Sequence, residues 1–204
     1  MKLKYRILVA CEFSGAVREA FRRRGFDAWS CDHLPPEDHS RYHIQGDVLD
    51  ILDDGWDLMI AHPPCTYLCN SGVRWLHEDA RYMTAETRWE RLEEAAEFFK
   101  TLLNAPIERI CIENPIPHRY AVERIGKKYD QIIQPWMFGD DASKATCLWL
   151  KNLPTLEPTK ILLKAKYANQ TPSGQNAQKG WKERSRTYLG IANAMADQFG
   201  KYTL

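Results

Sequence analysis

Cys65 stands directly after two prolines at the end of an apolar run, Asp57-Leu58-Met59-Ile60-Ala61-His62-Pro63-Pro64-Cys65. A thiol is strongly nucleophilic even when only partly ionised, and a stiff turn is a good place to present one. A second apolar run, Arg109-Ile110-Cys111-Ile112, leads into Glu113-Asn114-Pro115. One strand end therefore offers a thiol and the other a carboxyl group. Together they make a nucleophile and an acid.

The elements around these residues explain how they would meet. Leu58 to Ala61 reads as a buried strand, and Pro63-Pro64 stops it by fixing φ and removing ladder donors. Tyr5 to Ala10 reads as a first strand, followed by a turn at Cys11-Glu12-Phe13-Ser14-Gly15. A helix over Ala16 to Arg24 carries Val17, Ala20 and Phe21 on one face. Phe26 to Cys31 reads as a second strand closed by Asp32, and a polar loop from His33 to His43 leads to Gly46-Asp47 and a short element at Val48 to Leu52. Strand, turn, helix, strand and a closing carboxylate begin a Rossmann-like α/β unit, a sheet with helices on both faces. Such folds place their chemistry at the carboxyl edge of the sheet.

Further along, Thr84 to Leu103 has helical periodicity, with Trp89, Leu92, Ala96, Phe99 and Leu103 as a sheet-packing stripe. A short helix is expected over Tyr120 to Gly126, strands at Tyr129 to Pro135, Thr146 to Leu150 and Lys160 to Leu163, and a last helix at Ser185 to Phe199. In that helix Leu189, Ala192, Met195 and Ala196 are expected to face inward.

The chain of 204 residues fits one domain, 1–204. Lys and Arg number 28 against 27 Asp and Glu, so global charge selects neither nucleic acid nor membrane. Basic residues do gather between Lys160 and Arg186, where a phosphate-contacting face or a solvated segment would both fit. No apolar run is long enough to span a membrane, and the amino terminus lacks a signal peptide's apolar core. Six scattered cysteines suit reduced thiols and a cytoplasmic location. Cys69 lies near Cys65 and His62, but no second ligand pair has finger-like spacing, so no metal is expected.

In order along the chain stand Glu12-Phe13-Ser14-Gly15, Pro64-Cys65 followed by Ser71-Gly72, Glu113-Asn114, Phe138-Gly139 through Lys144, and Gly190-Ile191-Ala192-Asn193-Ala194. This series resembles the DNA cytosine-5 methyltransferase family, and more closely its short bacteriophage and prophage members. The likeness runs from about Ile7 to Gln198 and implies an S-adenosylmethionine-dependent methyltransferase fold. It implies that Cys65 adds to carbon 6 of cytosine and makes carbon 5 able to accept a methyl group. Glu113, as a protonated or proton-sharing carboxyl, would bond the N3 and amino edge, Asn114 would support the loop, and Lys144 would contact cytosine or phosphate. On the donor side it implies Glu12, Phe13, Ser14 and Gly15 near the methionine part, Asp32 on the ribose, Asp47 on the adenine amino group, and Pro63 and Asn193 closing the pocket. The expected partner is DNA, its cytosine flipped from a duplex or taken from a single strand.

The chain departs from the family in two places. The first loop has Glu12 and Ser14 where several glycines are usual, and Glu12 either repels the donor's carboxylate or binds its ammonium. The usual Gln-x-Arg-x-Arg is Ala142-Ser143-Lys144-Ala145-Thr146, which replaces a planar fork with a point charge. The short basic segment 151–182 stands in place of a large target-recognition region, implying short or weak sequence specificity. RNA as substrate, a modified donor, and a binding protein without turnover remain the alternatives.

Overall fold

The computed structural model describes residues 5–79, 82–163, 180, 182 and 185–203. Seven strands form a single sheet: β1 (Arg6–Ala10), β2 (Asp27–Asp32), β3 (His43–Gln45), β4 (Leu58–Ala61), β5 (Arg109–Pro115), β6 (Gln131–Ile133) and β7 (Thr146–Lys151). Their order is β3-β2-β1-β4-β5-β7-β6, with β7 antiparallel to both neighbours and the other pairs parallel. The helices are α1 (Ala16–Arg22), α2 (Ala85–Leu103), α3 (Arg119–Ile125) and α4 (Leu189–Phe199).

Strands buried on both faces must be apolar at successive positions, and β1 and β4 are. Ile7, Val9, Leu58 and Ile60 pack with Val17 and Phe21 of α1 and with Ile191, Met195 and Phe199 of α4. Leu8, Ala10, Met59 and Ala61 pack on the other face with Leu92, Ala96 and Phe99 of α2 and Ala121 and Ile125 of α3. The result is the three-layer, Rossmann-like α/β fold expected from the sequence. The stripe on α2 is core: Phe99 meets Trp149 edge to face at 4.8 Å, and Trp89 donates its indole N–H to the Leu76 carbonyl at 2.8 Å.

The register matters most for function. Cys31 pairs with Ala10, Ala10 with Ala61, and Ala61 with Ile112. The next residues along the chain, Asp32, Cys11, His62 and Glu113, therefore leave the core in one row across the carboxyl edge. Between β1 and β4 the strand order reverses direction, and at such switch points open α/β sheets form clefts.

The sequence expectations need correction at several edges. Strand β3 falls on a polar stretch too short to show alternation. Residues Asn70–Leu76 form a 3-10 helix that apolar spacing did not reveal. Strand β6 stops at Ile133 because Pro135 opens a 3-10 turn. The strand expected at Lys160 to Leu163 is a single bridge between Phe138 and Lys160. The last helix begins at Leu189 rather than Ser185, and Leu189 itself is 60% exposed because it starts the first turn. Ile191, Ala194 and Phe199 join Ala192, Met195 and Ala196 in the buried face.

Helix α4 meets the sheet through a glycine. A Cβ on Gly190 would lie 2.2 Å from the Phe138 carbonyl oxygen, and its N–H bonds Asp140 Oδ2 at 2.8 Å. Gly190→Ala must therefore push backbone apart, and urea unfolding should show a loss of about 1–3 kcal/mol. Leu189→Gln, on the exposed turn, should stay within about 0.5 kcal/mol of wild type.

Candidate active site

Two prolines leave the chain after β4 without ladder donors, so the turn bearing Cys65 must be held from elsewhere. The residues after β5 hold it. Asn114, wholly buried, donates from Nδ2 to the Pro63 carbonyl at 3.1 Å. His118 donates from Nε2 to the Tyr67 carbonyl at 2.9 Å, while its backbone N–H reaches the Leu68 carbonyl at 3.0 Å. The Asn70 N–H bonds the Ile116 carbonyl at 3.0 Å, and Cys69 bridges Pro117. His118 Nδ1 accepts the Ala121 N–H at 3.1 Å, which fixes the ring as it caps α3. Asn114 thus ties the turn to β5, and Pro63 is the anchor through its carbonyl.

Within this frame Cys65 lies beside Cys69. The Leu68 and Cys69 N–H groups both bond the Cys65 carbonyl at 3.0 Å, a tight turn that brings the sulfurs into hydrogen-bond contact. Two thiols so placed ionise one at a time. The hydrogen bond from Cys65, the Ser71 hydroxyl 3.0 Å away and backbone N–H groups hold Cys69 down to about 5, although burial opposes them. Cys65 is pushed up by the same contact, by burial and by the negative charges of Cys69 and Glu113, with Lys144 acting the other way.

Glu113 is 13% exposed and meets His62 Nδ1 at 3.1 Å through Oε2. Burial opposes its charge, but the His62 hydrogen bond, the Lys144 charge, the His62 ring and a Thr146 hydrogen bond together hold the carboxyl below its ordinary value. The carboxyl is thereby favoured in its ionised form, hydrogen-bonded to the His62 ring. Lys144, whose backbone N–H bonds Gln134 Oε1 at 3.0 Å, acts electrostatically on both Cys65 and Glu113. Cys65, Glu113, Asn114 and Lys144 are all brought together.

A cleft of about 290 Å³, open to solvent, adjoins them at the switch point. Cys11, Glu12, Phe13, Ser14, His62, Ser185 and Thr187 line it. Cys11 takes a left-handed φ of 58°, a strained turn for a side chain with a Cβ. Glu12 is buried, with Oε1 accepting the Val17 N–H at 2.7 Å and Oε2 the Arg18 N–H at 3.1 Å. It caps α1 from within, occupying the donors a helix start would otherwise offer to an anion. Burial raises its pKa, against His62, these two N–H groups and Arg18.

The other donor-side residues divide. Asp32 and Asp47 both sit close enough to Cys11 to raise its pKa, behind burial as the main cause. Each also caps a turn through Oδ1, Asp32 from the Leu34 N–H at 2.9 Å and Asp47 from the Leu49 N–H at 3.0 Å. Gly15 is turned away from the cleft: at φ 73°, a Cβ there would strike the Arg18 guanidinium, which is wholly buried and pairs with Asp38. Asn193 is not brought to the cleft by its side chain, which accepts from Arg24 Nη1 at 3.2 Å behind α1. The C-terminal wall is instead Ser185 and Thr187, with Arg186 bonded to Glu37 at 2.8 Å between them. Sequence reasoning missed His62, Ser185 and Thr187. Only the position of His62, level with Asp32 and Glu113 at a strand end, was available as a signal. Residues 164–179, which hold much of the basic segment, lie outside the described residues.

No family model and no curated protein matches the sequence. Among solved structures, the chain is similar to a protein described as a DNA modification methyltransferase encoded within an E. coli prophage, at 14% identity and TM-score 0.48 over 78% of this chain and 52% of that one. It is also similar to the Entamoeba histolytica methyltransferase EhMeth, at 13% identity and TM-score 0.47 over 79% of this chain and 58% of that one. The chain thus spans little more than half the length of either. The fold assignment rests on the strand order itself.

Because the folded pKa of Glu113 lies below its ordinary 4.5, its contribution to stability is present above that value and lost as pH falls through the folded one. Denaturation of wild type and Glu113→Gln across the acid range should show the balance moving toward wild type as pH rises, then levelling. Glu12→Ala should cost about 1–2 kcal/mol at neutral pH by uncapping α1.

Proposed function

We propose that the protein is an S-adenosylmethionine-dependent methyltransferase acting on carbon 5 of cytosine in DNA, with Cys65 as nucleophile. The observation that carries this reading is the convergence of Cys65, Glu113 and Lys144 beside a cleft at the sheet's switch point. Thiol addition to a pyrimidine needs a nucleophile and a group for the N3 and amino edge. Cys65 and Glu113 would serve as these two groups, with the Lys144 charge acting on both.

The cleft suits the donor on its own chemistry. It has a buried imidazole nitrogen without a hydrogen-bond partner among the described residues, His62 Nε2, and hydroxyls at Ser14, Ser185 and Thr187. Glu12 and His62 would hold the amino-acid end, Phe13 would pack on the chain, and Asp32 and Asp47 would meet the ribose and adenine. With both its oxygens on α1, Glu12 leaves no helix start for an anion, and the cleft favours the ammonium end. S-adenosylmethionine supplies a methyl group when bound.

The chain's own residues do the rest. Cys65 gives up its proton to solvent and its sulfur, as the thiolate, forms the bond to carbon 6. The electron pair of the 5,6 double bond moves toward carbon 5 and N3, where Glu113 faces the developing charge. Lys144 lowers the cost of negative charge on Cys65. After the methyl group is on carbon 5, the proton there passes to a solvent water as the double bond re-forms and Cys65 leaves as the thiolate.

DNA containing 5-fluorocytosine should trap a covalent adduct in the presence of S-adenosylmethionine, and the adduct peptide should contain modified Cys65. Cys65→Ser should abolish it, and Cys69→Ser should leave the adduct on Cys65. No wild-type adduct, or an adduct undiminished in Cys65→Ser, overturns the reading. Adduct on Cys69 would reassign the nucleophile, and trapping on RNA alone would reassign the substrate.

A further inference from the structure

His62 is the residue the mechanism above leaves unused in the chemical step. Its backbone N–H bonds the Ala10 carbonyl at 2.9 Å, which ties β4's end to β1's and fixes where the ring hangs. The side chain is 9% exposed, with Nδ1 3.1 Å from Glu113 Oε2. Facing the ring are Glu113 from β5 and Glu12 from the loop after β1. Lys144 and Arg18 act at one remove, on Glu113 and on Glu12 respectively. An imidazole between two carboxylates is a natural place for a proton to reside.

The need for that proton follows from the proposed reaction, on which this inference rests. When Cys65 adds to carbon 6, the pyrimidine ring gains electron density that a proton at N3 would neutralise. Glu113 faces that edge but is held ionised, so it has no proton of its own to give. Lys144 and Thr146 also act on Glu113, yet an ammonium and a hydroxyl hold their protons far too tightly near neutral pH. Histidine is the side chain whose ordinary range suits the transfer.

We propose that His62 is a proton-holding residue for Glu113: its Nδ1 proton passes to Glu113 as Glu113 protonates N3 of the attacked cytosine, and returns when Cys65 leaves. The step balances internally. The Cys65–carbon 6 bond forms as the 5,6 π bond breaks, N3 gains one proton, Glu113 passes one on, and imidazolium becomes imidazole. On elimination each change reverses. His62 touches neither the reacting carbon nor the sulfur, so it acts through Glu113.

The test is tritium release from DNA carrying [5-³H]cytosine, with S-adenosylhomocysteine present, because exchange at carbon 5 needs the thiol addition and no methyl transfer. If the imidazole proton is the one passed on, wild-type release falls as pH rises, opposite to the gain from thiolate formation. His62→Gln keeps a hydrogen bond to Glu113 without a titrating proton. It should release tritium about 100-fold more slowly at neutral pH and lose that basic limb. The His62→Gln, Glu113→Gln double variant should be no slower than Glu113→Gln alone. Release within about 3-fold of wild type with an unchanged pH profile in His62→Gln overturns the inference while leaving the proposed function standing. Absence of both tritium release and calorimetric S-adenosylmethionine binding in wild type overturns both.

Discussion

The site depends on one constraint: the Pro63-Pro64 turn cannot hold itself and must borrow its hydrogen bonds from the chain after β5. Proline removes the donors that would extend β4, so the backbone after Ala61 is free to leave the sheet, and unfixed. Asn114, Ile116 and His118 supply the missing partners to Pro63, Asn70, Tyr67 and Leu68. The carboxyl-bearing strand end and the thiol-bearing turn are thereby a single rigid unit. A catalytic pair needs such fixity, since misplacement by about an ångström costs orders of magnitude in rate.

The sheet register turns that unit into a site. Because Ala10, Ala61 and Ile112 are level, Cys11, His62 and Glu113 emerge level too, and the switch point opens its cleft beside His62. His62 therefore belongs to both halves, lining the cleft and bonding Glu113. Under the proposed function, the donor half and the base half share one imidazole wall. The wall is narrow because β1 and β4 are adjacent parallel strands about 4.8 Å apart.

Much of this was legible in the sequence, and for identifiable reasons. Leu58 to Ala61 and Ile110 to Ile112 are apolar at every position, which marks strands covered on both faces, and Pro63-Pro64 marks where one must end. Cys65 and Glu113 could be placed together as the ends of two such strands, whereas Asn114 and Lys144 entered only through the resemblance to a known family. The rest depended on side-chain pairing that spacing does not encode. Gly15 reads as a ligand-side glycine, yet it makes room for the buried Arg18 and Asp38 pair. Asn193 reads as a cleft residue, yet α4 turns it toward Arg24. Likewise nothing in Cys65-Thr66-Tyr67-Leu68-Cys69 says that the Ser71 hydroxyl will stand 3.0 Å from the second sulfur.

Glu12 shows how one substitution-sized departure reshapes a site's electrostatics. A helix start is a ready anion site because its first N–H groups are unpaired and its dipole is positive. Here the chain's own carboxylate takes two of those N–H groups, and Asp32 and Asp47 stand nearby around Cys11. The loop that in a glycine-rich version would welcome a carboxylate or phosphate is filled by Glu12 and ringed with negative charge. A ligand must then present its cationic end to Glu12 and leave its anionic end to the hydroxyls of Ser14, Ser185 and Thr187. Under the proposed reaction, Glu12 thereby sets which way round the donor lies.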